Sequence, residues 1–173
     1  PSSLPASPRE AIERLFKIPN GQARMLEEDQ ARLLADQVQV ILRGTKGRPT
    51  IIVRDQGIGI HPRQFPLTIV SLGQSVKGQK SYLIGMYGQG GSSTFEKCEY
   101  TLIVSRRHPD HLQQGQADLV GWTVARRRLA TRSHIYTYLI DPTTREVPFF
   151  SGSTGEAIGL KQGTYIAHVD YRN

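Results

Sequence analysis

The chain has 173 residues, a length that suits one domain with a buried core. Its net charge of +7 permits contact with nucleic acid or phosphate groups but establishes neither. The apolar runs are too short to cross a bilayer, so we expect no membrane partner. The single cysteine, Cys98, excludes an internal disulfide framework, fits a reducing cytoplasm and is expected to be a packed thiol.

Helices are predicted in the first part of the chain. Ser7-Pro-Arg-Glu10 has the pattern of a capping box, with a capping serine, a proline at the first helical position and a glutamate that reaches back. A short helix should therefore run to about Lys17. A second helix is predicted from Gln22 to Ala35, because leucines share one stripe with charges opposite.

A β-hairpin is predicted next, with its turn at 44–47 and Asp55 at the end of its second strand. Short helices are expected at 61–70 and just before Lys97. A turn of Asx chemistry is expected at Asp141 and a mobile Ser/Gly loop at 151–155. The predicted strands lie at 38–42, 50–54, 100–106, 118–128, 134–140 and 164–170.

These elements predict one α+β domain over residues 1–173, with a helical segment at 1–36 and the remainder at 37–173. The expected architecture is a two-layer sandwich, in which helices cover one face of a mixed, mostly antiparallel sheet. The chain begins at Pro1, and its last letters continue a strand pattern. We therefore expect it to be a piece of a longer protein.

Two glycine-bearing motifs indicate a nucleotide pocket. The first is Asp55-Gln-Gly-Ile-Gly59, in which an apolar strand ends on a carboxylate followed by backbone without side chains. The second is Ile84-Gly-Met-Tyr-Gly-Gln-Gly-Gly-Ser-Ser93, a glycine turn whose N–H groups could attract phosphates. A carboxylate can accept a hydrogen bond from the amino group of a base. Each motif alone is also typical of an ordinary turn.

Together, these two motifs resemble the glycine boxes of the GHKL ATPases, the class of DNA gyrase, heat-shock chaperones, sensor histidine kinases and mismatch-repair ATPases. The later Gly163-Thr-Tyr-Ile166 resembles the strand whose threonine assists adenine recognition in that class. The likeness covers roughly residues 37 to 170. It implies a Bergerat-like fold and, as ligands, ATP and Mg²⁺.

The resemblance also implies the roles of individual residues. Asp55 would accept the adenine amino group with Thr164 in support, and Gly57 and Gly59 would line the base and ribose. Lys77 and Lys80 lie in the segment that matches the lid of the class. The phosphates would lie against the second box, at Gly85, Met86, Gly88, Gln89, Gly90, Gly91 and Ser92.

The chain departs from the class at its catalytic helix. That helix carries a glutamate as general base and, four residues later, an asparagine that helps to hold Mg²⁺, and no Glu-x-x-x-Asn occurs here. Asn20 is the only asparagine before the first box, and Glu27 and Glu28 have no asparagine partner. Either the helix precedes Pro1 in a longer parent, or the chain binds nucleotide without hydrolysing it. The first interpretation predicts poor binding and little turnover by the fragment alone.

Several other functions remain as alternatives. The resemblance implies further domains as partners, and ATP-dependent homodimerisation is possible. A non-catalytic nucleotide sensor is one rival, and a sensor-kinase phosphotransferase is a weaker one because no phosphoacceptor-histidine helix is visible. A basic nucleic-acid-binding module could use Arg106-Arg107 and Arg126-Arg-Arg128, although we favour solvated arginines there. His108-Pro-Asp-His111 offers two metal ligands, which is too few to predict a site.

Overall fold

The structure is a computed structural model that describes residues 4–68, 70, 93–129 and 134–172. The chain divides into two compact units, Pro1–Gln39 and Val40–Asn173. The described residues of the first contain two α-helices, and the second contains most of the sheet together with the hydrophobic core.

The first unit begins with helix α1, Pro8–Phe16, as the capping box predicts. The Ser7 hydroxyl accepts the N–H of Glu10 at 3.1 Å, and the Glu10 carboxylate accepts the N–H of Ala6 at 2.7 Å. Helix α2 spans Glu28–Ala35, so the predicted start at Gln22 is wrong. Residues Ala23–Met25 form a separate 3₁₀ turn, and the backbone at Leu26 is extended before the acidic first turn of α2 begins.

The second unit is built on a seven-stranded sheet, which confirms the expected α+β class. Its spatial order is β1-β2-β7-β3-β4-β5, and β6 pairs with β4 as well. Each pairing for which the register is described is antiparallel. The strands are β1 Val38–Thr45, β2 Arg48–Asp55, β3 Tyr100–Arg106, β4 Leu119–Leu129, β5 His134–Tyr138, β6 Phe149–Ser151 and β7 Gly163–Val169.

The predicted hairpin is confirmed, and Asp55 is the last residue of β2. The two short helices predicted at 61–70 and before Lys97 are 3₁₀ helices, Pro62–Leu67 and Ser93–Lys97. The Asx turn at Asp141 is confirmed, because its Oδ1 accepts the N–H groups of residues 143 and 144.

The prediction of a mobile loop at 151–155 is wrong. Strand β6 ends at Ser151, and helix α3 spans Gly152–Ala157 with the Ser151 hydroxyl as its cap. Both glycines of this helix are needed for close packing. A Cβ on Gly152 would overlap the Asp118 carboxylate, and one on Gly155 would lie 2.6 Å from a methyl group of Val120. The glycines therefore reflect contact with the sheet rather than mobility.

The core covers one face of the sheet. Successive residues of a strand point to opposite faces, so Ile103, Ala125 and Ile166 share this face with Phe65 and Phe95 packed over it. The partly buried members of the core are Ile60, Val70, Tyr136, Tyr138, Ile140 and Ile166. Within the described part of the chain, no helix is both long and apolar enough to span a membrane.

Candidate functional site

Three side chains form a row across adjacent strands at one end of the sheet. Asp55 of β2 lies opposite Thr164 of β7, and Thr164 lies opposite Ser105 of β3. Residues directly opposite in an antiparallel sheet share a face, with Cβ atoms about 4.5–5.5 Å apart. The row is therefore continuous with the core face, and we call it the Asp55 row.

The Asp55 carboxylate shapes the turn that follows it. Its Oδ1 accepts the backbone N–H of Gly57 at 2.8 Å, which is an Asx turn. The motif therefore does form a turn, but the turn does not use every hydrogen-bond acceptor position of the Asp55 carboxylate. Two carboxylate oxygens offer about four acceptor positions, so Asp55 retains capacity to accept a donor from a ligand.

Ser105 is the hub of the row and is fully buried. Its hydroxyl donates to the Gly163 carbonyl at 2.9 Å and accepts the backbone N–H of Ile60 at 2.8 Å. It also lies 3.0 Å from the Thr164 hydroxyl. One side chain therefore joins β3, the start of β7 and the segment that follows the first glycine box.

That segment crosses the end of the sheet at close range. A Cβ on Gly59, which has a φ of +62°, would overlap the Arg106 carbonyl. Gly163 has a φ of +93°, and a Cβ there would overlap the Asp55 carbonyl. Only glycine fits at these two positions, because another residue would be strained at these φ values and its Cβ would overlap a carbonyl group. These two glycines let three backbone segments approach each other beside the Asp55 row.

The predicted site residues differ in how far the structure describes them. Gly57 is exposed beside Asp55, whereas Gly59 is buried against β3, so its packing already accounts for a glycine there. The other predicted contacts lie outside the described residues, and their relation to Asp55 stays a prediction. They are Lys77, Lys80, Gly85, Met86, Gly88, Gln89, Gly90, Gly91 and Ser92.

A cleft of about 580 Å³ opens at the same end of the sheet. Its lining includes Arg54, Tyr165 and Val104, which form the register row next to the Asp55 row and point to the opposite face. Asp55 and Thr164 border it at their strand ends. The cleft and the core face therefore meet at the Asp55 row but open on different sides, and the cleft does not define the nucleotide pocket.

Arg106 is not a solvated arginine, which corrects the prediction for this residue. Its side chain is 2% exposed and bonds to both oxygens of Asp118, at 2.9 and 2.6 Å, and to Glu156 at 3.0 Å. The guanidinium also donates to the Leu160 and Lys161 carbonyls. The hydrogen bonds that Arg106 donates to Asp118 lower the pKa of that carboxyl group, and the same bonds are the largest cause of the raised pKa of Arg106. This cluster fastens the segment after α3 to β3.

Two of the other four arginines of the proposed basic patch also have acidic partners. Arg126 bonds to Glu99 at 2.7 Å, and Arg127 bonds to Glu96 at 3.0 Å. Arg126 and Arg127 point to opposite faces of β4, as the strand period predicts. Three of the five arginines of this patch therefore lie against acidic side chains.

The two histidines of the 108–111 loop contact each other edge to face, with ring centroids 5.5 Å apart. The His108 Nδ1 accepts the backbone N–H of Asp110, so this nitrogen is already used. Among the residues that the structure describes, no three His, Cys, Asp or Glu side chains are grouped to hold a metal ion.

Sequence reasoning missed Ser105 as a member of the site. The alternation of Thr101, Ile103 and Ser105 along β3 would have predicted that all three share a buried face. It could not predict that Thr164 lies opposite, because the two residues are 59 positions apart in the chain.

No family model and no curated protein matches this chain. The function proposed below therefore rests on the motifs and on the geometry of the described residues.

Proposed function

We propose that this chain is the ATP-binding domain of a GHKL-type protein with a Bergerat-like arrangement, and that nucleotide binding drives conformational change in attached domains or a homodimer. The adenine amino group donates to the Asp55 carboxylate. Thr164 supports that contact, and the second glycine box holds the phosphates.

One observation carries the proposal: Asp55 and Thr164, which the motifs assign to adenine, lie directly opposite on adjacent strands although they are distant in sequence. An ordinary Asx turn needs no such neighbour, since Asp141 makes its turn with backbone N–H groups of its own loop. The exposed backbone at Gly57 adds a surface against which a flat base can pack. These features support an adenine subsite at the end of β2.

The Mg²⁺ that the resemblance implies has no protein ligand assigned to it. The described residues supply no suitable cluster of acidic or histidine side chains, and no asparagine stands where the class places its metal ligand. The described residues therefore do not fit a protein-held ion, and we derive no hydrolytic step from them. The proposal is one of binding, with hydrolysis depending on residues not identified in this chain.

The test is calorimetric titration of Mg·ATP into the wild-type protein and the Asp55→Asn variant. Asparagine keeps an oxygen for the Gly57 N–H but loses the charge, so the fold at the turn is preserved. Loss of a charge-assisted hydrogen bond should weaken binding about ten- to a hundredfold.

The matched control is Asp141→Asn, which makes the same substitution in an Asx turn elsewhere in the unit. It should leave the affinity unchanged. Wild-type protein that binds no ATP, or equal affinities for the wild type and Asp55→Asn, would contradict the proposal.

A non-catalytic nucleotide sensor is the alternative within the same geometry. The absence of a Glu-x-x-x-Asn sequence favours it for the chain as it stands. Phosphate release from a longer protein that contains this chain, measured beside the titration, separates the two: binding without turnover supports the sensor, and turnover supports an ATPase whose general base lies outside this chain.

A further inference from the structure

Ser105 determines whether the hydroxyl of Thr164 can donate a hydrogen bond to a ligand or can only accept one. A serine hydroxyl carries one proton and two lone pairs. The Gly163 carbonyl can only accept, so the 2.9 Å contact with it takes the Ser105 proton. The Ile60 N–H at 2.8 Å takes one of the two lone pairs of Ser105.

The 3.0 Å contact with Thr164 must then use the proton of Thr164 and the remaining lone pair of Ser105. Thr164, which is 8% exposed, therefore has no proton left for a ligand and can only accept. Its neighbour Asp55 is also an acceptor when ionised. The Asp55 row thus presents acceptors only.

We propose that Ser105 is a specificity-determining positioning residue, which holds Thr164 as an acceptor and so selects a purine with an amino group at position 6 over one with a carbonyl oxygen there. This rests on the proposed function, since it concerns the same adenine subsite. An amino group can donate two hydrogen bonds to the Asp55 row. A carbonyl oxygen can only accept, so it would form no hydrogen bond with the acceptors of the row and would bind more weakly.

The experiment compares the affinities of ATP and inosine triphosphate, whose base has a carbonyl oxygen in place of the amino group. In Ser105→Ala the hydroxyl of Thr164 is released and can turn its proton toward that oxygen. The ratio of ATP to inosine triphosphate affinity should fall about three- to tenfold, the change that one hydrogen bond makes. Part of this fall should be tighter binding of inosine triphosphate, which a loss of structure alone would not produce.

Two further variants complete the design. Ser105→Cys keeps the size but offers only a weak acceptor, so it should lower the same ratio if Ser105→Ala fails to fold. Thr123→Val is the matched control, because Thr123 is another fully buried hydroxyl on this face and donates to the Leu139 carbonyl at 2.7 Å. Its ratio should equal that of the wild type.

The outcomes are separable. Wild-type protein that binds neither nucleotide overturns the proposed function and this inference with it. Wild-type protein that binds ATP without preference over inosine triphosphate overturns the inference alone. An unchanged ratio in Ser105→Ala, or in Ser105→Cys where the alanine variant does not fold, does the same.

Discussion

Strands β3 and β7 carry two polar pairs on the same face, four residues apart, and the pairs have different surroundings. At one end Ser105 bonds to Thr164 at 3.0 Å, and at the other Thr101 bonds to His168 at 3.0 Å. The first pair continues to the Asp55 carboxylate on β2, whereas the second continues to Ile51.

The second pair is closed off by its neighbours. The Cys98 thiol lies 3.1 Å from the Thr101 hydroxyl, and the Phe95 ring packs 6.3 Å from that of His168. Cys98 is 8% exposed, which confirms the predicted packed thiol, and burial raises its pKa. A buried polar pair that ends on apolar side chains stabilises a fold. A similar pair that ends on a half-buried carboxylate has acceptor capacity left for a ligand.

The largest effect is expected at the crossing beside the Asp55 row. Gly59→Ala would combine a positive φ with overlap of the Arg106 carbonyl, so we expect a loss of about 4 kcal/mol in the free energy of unfolding. Gly159→Ala is the control, because Gly159 has a φ of +82° with no atom within 4 Å of an added Cβ. It should cost about 1–2 kcal/mol. Equal losses in urea denaturation would show that the crossing is not tightly packed.

The second prediction compares one threonine-to-valine substitution in each of the two polar pairs. Thr101→Val leaves the buried Nδ1 of His168 without its hydroxyl partner, so it should cost about 1–3 kcal/mol of stability and leave ATP affinity unchanged. Thr164→Val leaves both other hydrogen bonds of Ser105 intact, so it should cost about 1 kcal/mol and weaken ATP binding. Denaturation and calorimetry on both variants check this. A loss of ATP affinity in Thr101→Val alone would reverse the assignment.

The smallest expected effect is a pH dependence of the free energy of unfolding that arises from the Thr101–His168 pair. Burial lowers the pKa of His168 below its ordinary value of 6.5. The unfolded chain then binds the proton more readily than the folded protein. The free energy of unfolding is therefore fully retained above pH 6.5 and falls with decreasing pH, by at most about 1.4 kcal/mol per pH unit for one histidine.

Thermal unfolding between pH 7 and pH 5 measures this slope. His168→Asn should reduce this slope. Because burial also lowers the pKa of His61, a slope should persist in His168→Asn at reduced size. An undiminished slope in that variant would assign the whole effect to other groups.

Much of the second unit could be predicted because its signals are local. The hairpin that ends at Asp55 follows from apolar residues on both sides of a glycine turn, and the turn at Asp141 follows from Asx chemistry within four residues. The helix at Gly152–Ala157 could not be predicted, because a stretch rich in serine and glycine is locally typical of a loop. The glycines of this helix are there because Asp118 and Val120, far away in sequence, leave no room for a side chain.

By itself, the sequence determined six of the seven strands, all but β6, together with the Asx turns and the pair of glycine motifs, since each depends on residues within a few positions of one another. Only the tertiary structure decided that Ser105 joins Thr164 and Ile60, and that Arg106 is buried against Asp118 and Glu156. The physical reason is that a hydroxyl or a guanidinium has the same local preferences whether it is solvated or buried. The register between strands distant in sequence selects the partners of such a group. Those partners decide whether the group donates or accepts, and whether it is free to bind a ligand.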